Sequence, residues 1–400
     1  MLTLVSMLLS LGVAPFCGLV ALVAFAACFA RRTPKRAPSV AKMRHFTILV
    51  PAHDEAPVIA KTVQAVQGLN YPDQQVRLVV VADNCSDDTA KIAGAAGATV
   101  WERSHATERG KGYALRFAVD RFISGGEPTD AVVVIDADTR VNPELLNYFS
   151  WRLDSGASWV QAYYTTSNPD ASWRTKLLTL ALSLVNGVWL KGLDALGIGV
   201  LWRGNGMCCS FEALKRHPWE AHGLAEDIEF GWILRLAKER VRFCDGARVY
   251  GEMVSRGGDA ATSQRQRWEH GRAVVRSQFR WRIIRASGIS LTRKLFYLAE
   301  LYMPSLSTLA VCVAVAFVAY IGAATGEFGE LQRTTLSDLQ ALEAGALVFY
   351  LVSPFLVLGV PWRYLLSIRF LPAFMLWKLT LLVRRGPTGW VRTPREPSRD

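Results

Sequence analysis

The sequence predicts an α/β domain with a mostly parallel sheet, which apolar helices anchor in a membrane at both ends of the chain. Within residues 46–250, short apolar and β-branched runs alternate with helical stretches. This alternation is typical of a parallel sheet that helices cover on both faces. Outside that region lie three stretches without a charged side chain, each long enough to cross a hydrocarbon core about 30 Å thick as a helix.

Residues 1–30 are expected to form an uncleaved transmembrane helix. The alternative is a secretory signal peptide, which is disfavoured because the stretch has no basic n-region and its apolar run is about twice the usual h-region. A basic linker follows at residues 31–45. It begins with Arg31 and Arg32, where positive charge marks the cytoplasmic end of a span.

The predicted α/β domain covers residues 46–279. Its strands are expected to be the apolar runs Phe46–Val50, Val76–Ala82, Ala131–Ile135 and Trp159–Tyr163. The helices between them are predicted at Pro57–Leu69, Thr89–Ala96, Lys111–Phe122 and Pro143–Trp151. In such a sheet ligands bind beyond the carboxyl ends of the strands, so residues just past a strand end are the candidates for function.

The C-terminal part of the chain is predicted to return to the membrane. An amphipathic interfacial helix is expected at residues 280–295, because tryptophan and isoleucine are mixed there with arginine and lysine. Two transmembrane helices are expected within residues 296–362. Residues 363–400 are predicted to form an interfacial helix and a basic cytoplasmic tail. A fourth span over Tyr364–Val383 is the alternative, disfavoured because it would place the basic tail outside.

The formal net charge of +12 is concentrated near the predicted spans. The segment 327–343 differs, with four acidic residues against one arginine. By the positive-inside rule, the domain and the tail lie in the cytoplasm, and the N-terminus and the segment 327–343 lie outside. This distribution favours anionic lipid head groups as partners. We do not expect nucleic acid as a partner, because no nucleic-acid motif accompanies the charge.

Cysteine and histidine usage predicts neither disulfides nor a zinc or histidine metal site. The seven cysteines show no paired zinc spacing, and three of them fall in predicted spans. The six histidines include no His-x-x-x-His pair.

Acidic residues follow three predicted strand ends. Asp54 comes after the first strand, Asp83 after the second, and Asp136 and Asp138 after the third. Asp54 also suits an ordinary helix N-cap, whereas capping does not require Asp83. Carboxylates at positions i and i+2 supply the hard oxygen ligands that Mg²⁺ or Mn²⁺ prefers. A solvated turn is the alternative for that pair.

Two further motifs lie downstream. Glu226-Asp227 opens a predicted helix, and an ordinary first-turn carboxylate pair is the alternative interpretation. Gln264-Arg265-Gln266-Arg267-Trp268 combines a guanidinium, which can hold a diphosphate bidentately, with an indole that can support a sugar ring. The alternative there is an interfacial helix rich in arginine and tryptophan.

In this order, the motifs resemble those of family 2 glycosyltransferases. The resemblance extends from Pro51-Ala52-His53-Asp54-Glu55 to Gln264-x-x-Arg267-Trp268 and covers most of residues 46–270. It is closest to the membrane-bound branch that contains cellulose, chitin-oligosaccharide and hyaluronan synthases. It implies a GT-A fold, an inverting transfer from a nucleotide sugar, and Mg²⁺ or Mn²⁺ as cofactor.

The resemblance also implies a role for each matched residue. Asp227 would be the catalytic base, and Asp138 would bind the metal. Asp83 would contact the uracil base, and Asp136 would lie near the ribose or the donor sugar. The other donor-side positions are Asp54, Lys111 and Arg267, and the acceptor-side positions are Gly204, Asn205, Gly206, Glu226, Gln264 and Trp268.

We therefore expect a multi-pass enzyme of the bacterial inner membrane that moves a sugar from a UDP-sugar to a lipid or oligosaccharide acceptor. A processive polysaccharide synthase is the first alternative. It would need an export partner or a homo-oligomer, because three apolar spans cannot easily line a polar conduit. A nucleotidyltransferase would not explain the Gln264–Trp268 motif. A non-catalytic membrane scaffold is disfavoured because the acidic positions are intact.

Overall fold

The computed structural model describes residues 2–39, 42–125, 129–255, 258–323 and 330–383. These ranges contain one mixed, mostly parallel sheet, the helices that cover it, and apolar helices near both ends of the chain. The predicted fold class is therefore confirmed. The basic tail from Arg384 onward lies outside the described residues.

The described sheet has eight strands, in the spatial order β3-β2-β1-β4-β7-β6-β8-β5. In chain order they are β1 (Phe46–Ala52), β2 (Val76–Asp83), β3 (Thr99–Arg103), β4 (Ala131–Val134), β5 (Thr139–Val141), β6 (Trp159–Thr166), β7 (Met207–Ser210) and β8 (Val241–Gly251). All four strands predicted from the sequence are present.

The helices in the described ranges are numbered in the same way. They are α1 (Leu2–Phe29), α2 (Ile59–Gln67), α3 (Thr89–Ala95), α4 (Lys111–Gly125), α5 (Leu145–Asp154), α6 (Trp173–Leu182), α7 (Trp189–Ala195), α8 (Phe211–Arg216), α9 (Glu226–Leu236), α10 (Asp259–Arg285), α11 (Leu291–Leu301), α12 (Leu306–Ala323), α13 (Glu330–Val357) and α14 (Leu371–Val383). The four helices predicted within the domain correspond to α2 to α5.

The parallel half of the sheet brings several strand ends to one edge. Strand β1 pairs in parallel with β2 on one side and with β4 on the other. The register sets Ala52 opposite Ala82 and Leu49 opposite Val134. The carboxyl ends of these three strands therefore open side by side, and the polar residues that follow them share one crevice.

Strand β7 changes the direction of the sheet. It lies antiparallel between β4 and β6. Because β7 begins where β4 ends, the Gly204-Asn205-Gly206 segment that precedes it lies next to the turn that follows β4. One hydrogen bond shows this adjacency directly, since the Gly206 N–H donates to Val134 O at 3.0 Å.

The N-terminal apolar helix α1 packs against the domain through α7. Helix α7 follows α6 and a π-helical segment, Ser183–Val188, and most of its side chains are buried. A Cβ added at Gly192 would lie 2.1 Å from Val23 O of α1, so only glycine allows this approach. Buried side chains in the second half of α1, from Leu19 to Ala27, belong to the same apolar core as one face of the sheet.

Four helical stretches are long and apolar enough to cross a membrane: Leu2–Phe29, Trp173–Ala195, Leu306–Ala323 and Arg333–Val357. The second of them escaped the sequence prediction. Its apolar window is 72% buried within the protein, against 28–33% for the other three. Its apolar character is therefore explained by packing inside the protein, whereas the other three present most of their side chains outward.

The structure corrects three features of the predicted C-terminal part. The interfacial helix predicted at 280–295 is divided between α10 and α11, and Gly288 in the connection has a φ of +67°. Glu343 was assigned to an outside segment, yet it lies within α13 with only 2% of its surface exposed. The stretch Tyr364–Val383, expected as one interfacial helix, is divided between a 3₁₀ helix, Trp362–Phe370, and α14.

Candidate active site

The first acidic loop ties the ends of β1 and β2 together. Asp54 adopts a φ of +52°, and its carboxylate accepts hydrogen bonds from the Ser86 N–H at 2.6 Å and from the Ser86 hydroxyl. Burial would raise the pKa of Asp54, but the hydrogen bonds from Ser86 outweigh it and lower the pKa. The neighbouring His53 Nδ1 lies 2.7 Å from Asp83 O. Asp54 thus holds the shape of the crevice wall.

Asp83 is the last residue of β2 and is 3% exposed. Its Oδ1 accepts from Arg103 Nη1 at 2.7 Å and from the Asn84 amide at 3.0 Å. No hydrogen bond from another described residue reaches its second oxygen. Arg103, at the end of the neighbouring strand β3, was missed by the sequence analysis. Only the parallel pairing of β2 with β3, which sets Asp83 opposite Arg103, reveals it.

Asp136 and Asp138 lie in the turn between β4 and β5. The intervening Ala137 is buried, and its carbonyl accepts from the Thr62 hydroxyl at 2.6 Å. This anchor points the alanine inward and leaves both carboxylates partly exposed in the crevice. Two hard oxygen donors on a fixed turn fit Mg²⁺ or Mn²⁺, which usually takes one or two carboxylates together with substrate phosphates.

Lys111 connects the Asp136 side of the crevice to the side formed by Gly204 and Glu226. It begins α4, directly after Gly110, which has a φ of +117°. Its Nζ donates to Asp136 Oδ1 at 2.5 Å and to Gly204 O, and it lies 3.9 Å from Glu226 Oε1. Burial would lower the pKa of Lys111, but the attraction of these carboxylates outweighs it and raises the pKa.

The Gly204–Gly206 loop is held from behind. Asn205 is fully buried; its side-chain oxygen accepts from the Asp136 N–H at 3.3 Å, and its side-chain nitrogen donates to Thr139 Oγ1 at 2.8 Å. A Cβ at Gly206 would lie 2.8 Å from Ala162 Cβ. These contacts give Asn205 and Gly206 a role in supporting the loop, and the acceptor contact expected for them stays a prediction. Gly204 alone faces the crevice.

Glu226 and Asp227 form the first turn of α9. Ala225 at the N-cap provides no side-chain cap, so the two carboxylates lie at the positive end of the helix. Burial and the repulsion from Asp227 raise the pKa of Glu226 to about 7. Burial also raises the pKa of Asp227, against the attraction of Lys111. A Cβ at Gly204 would lie 3.1 Å from Asp227 Oδ2, which places the carboxylate against that glycine.

The Gln264–Trp268 motif lies on α10. One turn further along, a Cβ at Gly271 would lie 2.9 Å from Ala225 Cβ, so α10 is pressed against the residue that precedes Glu226. Gln264, Trp268 and Gly271 share one face of the helix, at i, i+4 and i+7. Arg267 is partly exposed and makes no hydrogen bond or ion pair with another described residue.

Arg203 is a second residue that the sequence analysis missed. It precedes Gly204, and its N–H donates to the buried Gln161 Oε1 at 2.9 Å. Gln161 in turn donates to Asn205 O at 2.8 Å, which fixes the loop on both sides of Gly204. The position directly before Gly-Asn-Gly was the available sequence signal, and it was overlooked.

Another acidic group could be mistaken for a metal site. Asp54, Cys85 and Asp87 have potential ligand atoms within 4.8 Å of one another. However, Asp87 accepts from the Thr89 N–H at 2.9 Å and from its hydroxyl, and Asp54 is bound to Ser86. These carboxylates serve the turn that opens α3, so the Asp136–Asp138 turn remains the better metal candidate.

Curated proteins resemble the chain, and two of them are from Trichormus variabilis and Bacillus subtilis. The beta-monoglucosyldiacylglycerol synthase of Trichormus variabilis is 29% identical over 236 residues, which cover 56% of this chain and 48% of that protein. The probable glycosyltransferase YdaM of Bacillus subtilis is 38% identical over 64 residues, which cover 16% of this chain and 15% of that protein. The chain thus spans about half the length of the first relative.

A solved structure shares the fold. The mannosyltransferase PcManGT from Pyrobaculum calidifontis, in complex with GDP-Man and Mn²⁺, has a TM-score of 0.56 at 17% identity. The match covers 87% of this chain and 98% of that one. It supports the GT-A fold.

The family model described as "Glycosyltransferase like family 2" matches residues 44–271, more than half of the chain. The match begins just before β1 and ends within α10, beyond the Gln264–Trp268 motif. The chain therefore belongs to glycosyltransferase family 2.

Proposed function

We propose that this protein is a membrane-anchored, inverting glycosyltransferase that moves a sugar from a UDP-sugar to a membrane-associated acceptor. The observation that carries the proposal is the position of Lys111 between Asp136 and the Glu226–Asp227 pair. It supports the proposal because one lysine lies near both Asp136 and Glu226 at the strand ends, and these are the sides proposed for the donor and for the base. The relative named as a glucosyldiacylglycerol synthase supports a lipid acceptor.

Asp227 acts as the general base. Its raised pKa makes it a stronger proton acceptor than an exposed aspartate, while Lys111 and Arg203 favour its charged form. The acceptor hydroxyl oxygen bonds to the anomeric carbon as its proton passes to Asp227, and the bond to the diphosphate breaks. A single base without a carboxylate nucleophile corresponds to one displacement, with inversion of the anomeric centre.

The departing diphosphate gains negative charge, and the positively charged side chains of the crevice stabilise that charge. Lys111 is held by Asp136 on the donor side, and Arg267 keeps a guanidinium free of other described partners. When bound at Asp138, with Asp136 beside it, Mg²⁺ or Mn²⁺ would supply Lewis-acid stabilisation of the same charge.

Three spans and a cytoplasmic domain form the proposed topology. Helices α1, α12 and α13 present most of their apolar surface outward, and basic residues follow α1 on the domain side. The domain then faces the cytoplasm of a bacterial inner membrane, where nucleotide sugars are available. Three largely apolar spans favour a short or lipid-linked product; a long polymer would need an export partner or an oligomer.

The test is UDP release by the full-length protein in lipid, across a panel of UDP- and GDP-sugars, with Mn²⁺, Mg²⁺ or chelator. We expect metal-dependent release with one UDP-sugar and a matching glycolipid product. Asp227→Asn should abolish transfer yet retain UDP binding, because the base touches the acceptor. Glu229→Gln is the matched control, since Glu229 lies in the same turn and its side chain accepts, among the described residues, only from the Gly223 N–H at 2.9 Å. Loss of UDP binding in Asp227→Asn would refute the assigned base.

A further inference from the structure

Three arginines form a track between the membrane-side helices and Asp227. We call Arg203, Arg272 and Arg276 the arginine track. Arg203 lies on the loop before β7, and the other two lie one turn apart on α10. None of the three forms an ion pair within 3.5 Å with a described residue; the nearest carboxylate contact is Arg272 to Glu269, at 3.8 Å.

Arg203 forms the inner end of the track. Its backbone is fixed by Gln161, and its Nε is buried without a hydrogen-bond partner among the described residues. Its guanidinium lies close enough to Glu300 and to Asp227 for attraction, yet it forms no ion pair with either carboxylate. A charged group that is held rigidly, desolvated and left without a close partner indicates a site completed by an anion.

Arg276 forms the outer end. Its guanidinium lies over the ring of Tyr302, 5.4 Å from the ring centre, and its Nε is also buried without a described partner. Tyr302 is 41% exposed and follows α11, four residues before the membrane-spanning α12 begins. Tyrosine in such a position is typical of the membrane interface. Arg272, which is near enough to Arg203 for the two charges to repel, connects the ends.

Arg235 is a nearby arginine whose guanidinium does have close hydrogen-bond and ion-pair partners. Arg235 donates to Glu300 at 2.6 Å and to Gly199 O at 3.0 Å, and its ring contacts are with Trp232 and Tyr297 at 4.8 Å. In the described ranges, the Arg203 guanidinium has no hydrogen bond, ion pair or ring contact. Arg272 contacts Glu269 at 3.8 Å and Trp268 O at 3.4 Å, both longer than the Arg235 contacts, and Arg276 has its ring contact with Tyr302. The positive charge of the arginine track is therefore available to a ligand that approaches Asp227 from the membrane.

We infer that the acceptor is an anionic lipid whose head group carries a phosphate ester beside the hydroxyl that receives the sugar. The lipid enters at Tyr302, its phosphate follows Arg276 and Arg272, and Arg203 holds that phosphate while Asp227 takes the hydroxyl proton. The phosphate ester itself is unchanged by the reaction. This inference rests on the proposed function, and it names the substrate class of the same site.

The experiment compares two lipids with the same acyl chains, phosphatidylglycerol and diacylglycerol, as acceptors for the full-length enzyme in neutral detergent micelles. Glycerol 3-phosphate is the third acceptor, because it offers the same phosphate ester without a lipid. We expect transfer to favour phosphatidylglycerol. Arg203→Gln should raise the KM for this lipid by about 10- to 100-fold, the loss expected for one hydrogen bond to a charged group. Its Kd for UDP should stay within about twofold of the wild type.

Arg121→Gln is the matched control, because Arg121 is an exposed arginine on α4 that stacks on Trp101, 4.6 Å from the ring centre. It should leave both acceptors unaffected. If the wild type used diacylglycerol as well as phosphatidylglycerol, the inference would be overturned. A raised Kd for UDP in Arg203→Gln would also overturn it, because the guanidinium would then bind the leaving group. Preference for glycerol 3-phosphate would overturn the lipid part.

A binding measurement separates this inference from the proposed function. Calorimetry with dioctanoyl phosphatidylglycerol needs no transfer, so it reports on the arginine track even if no donor is turned over. Binding by the wild type that weakens in Arg203→Gln supports the anion site. Equal binding by both proteins refutes it. Absence of UDP release with every donor, alongside intact lipid binding, would refute the proposed function alone.

Discussion

Replacing Lys111 with methionine is expected to move the acid limb of the pH–activity profile to higher pH. Methionine keeps the length of the side chain and removes its charge. The proposed transfer requires an ionised base, so we expect activity to fall as the pH drops through the pKa of the Glu226–Asp227 pair. Lys111 lowers the pKa of both acids, and its loss should raise them.

The size of the shift follows from the geometry. Lys111 Nζ lies 3.9 Å from Glu226 Oε1, and both side chains are less than a fifth exposed. At an effective dielectric constant of about 20, the attraction is about 4 kcal/mol. That energy equals about 3 pKa units. This is an upper value, because solvent reaches Asp136 next to Lys111 and weakens the attraction. We expect the limb, which reports on the pair as a unit, to rise by about one to three units.

The assay is kcat/KM for UDP release, measured across pH for Lys111→Met and the wild type. Lys191→Met is the control, because Lys191 is also a buried lysine in a 2.5 Å ion pair, with Asp245, but belongs to α7. Both variants lose a buried pair, so both should be less stable. Only Lys111→Met should shift the acid limb. An unchanged limb in an active, folded Lys111→Met would show that this lysine does not set the ionisation of the base.

Three other changes probe the same crevice. Glu226→Gln should raise the free energy of unfolding by up to about 3 kcal/mol above pH 7, because a carboxyl with a raised pKa destabilises the fold when it is ionised. This gain should disappear as the pH falls towards 4.5, and melting temperature measured against pH is the test. Gly271→Ala should lower the free energy of unfolding by about 1–3 kcal/mol and reduce kcat, because the new Cβ meets the loop before α9. Gly345→Ala is the control: a Cβ there has open space, so neither the melting temperature nor kcat should change. Arg103→Gln should raise the Kd for UDP about tenfold or more, because Asp83 would lose its ion pair, and calorimetry with an unchanged Kd would argue against a role for Asp83 in nucleotide binding.

The parts of the site that could be predicted are those set by local sequence. Asp83 and Asp136 each end an apolar run, and the rule that ligands bind at the carboxyl ends of parallel strands brings them together without knowledge of the register. Asp227 was predictable only through the family resemblance, since a carboxylate in the first turn of a helix is ordinary.

The rest depended on pairings that no local pattern encodes. Arg103 reaches Asp83 because β3 lies beside β2, and Asn205 supports Asp136 because β7 lies antiparallel beside β4. Both were invisible until the sheet order was known. The apolar helices were also hard to predict, because apolar character does not reveal whether lipid or protein covers a helix. Trp173–Ala195 is covered by protein, and Glu343 is buried within α13.

The position of Asp227, the proposed base, is tied to α11 through α9. Asp227 lies in the first turn of this helix, and Arg235 lies near its other end, about 12 Å away at 1.5 Å per residue. Arg235 is 4% exposed, and its 2.6 Å ion pair with Glu300 fastens α9 to α11. A rigid helix that is fixed at one end to the membrane-side layer carries the base at the other. In the proposed topology, an acceptor arriving along α10 and α11 meets a base positioned by the same two helices. A site at the strand ends of the sheet can then serve a substrate held in lipid.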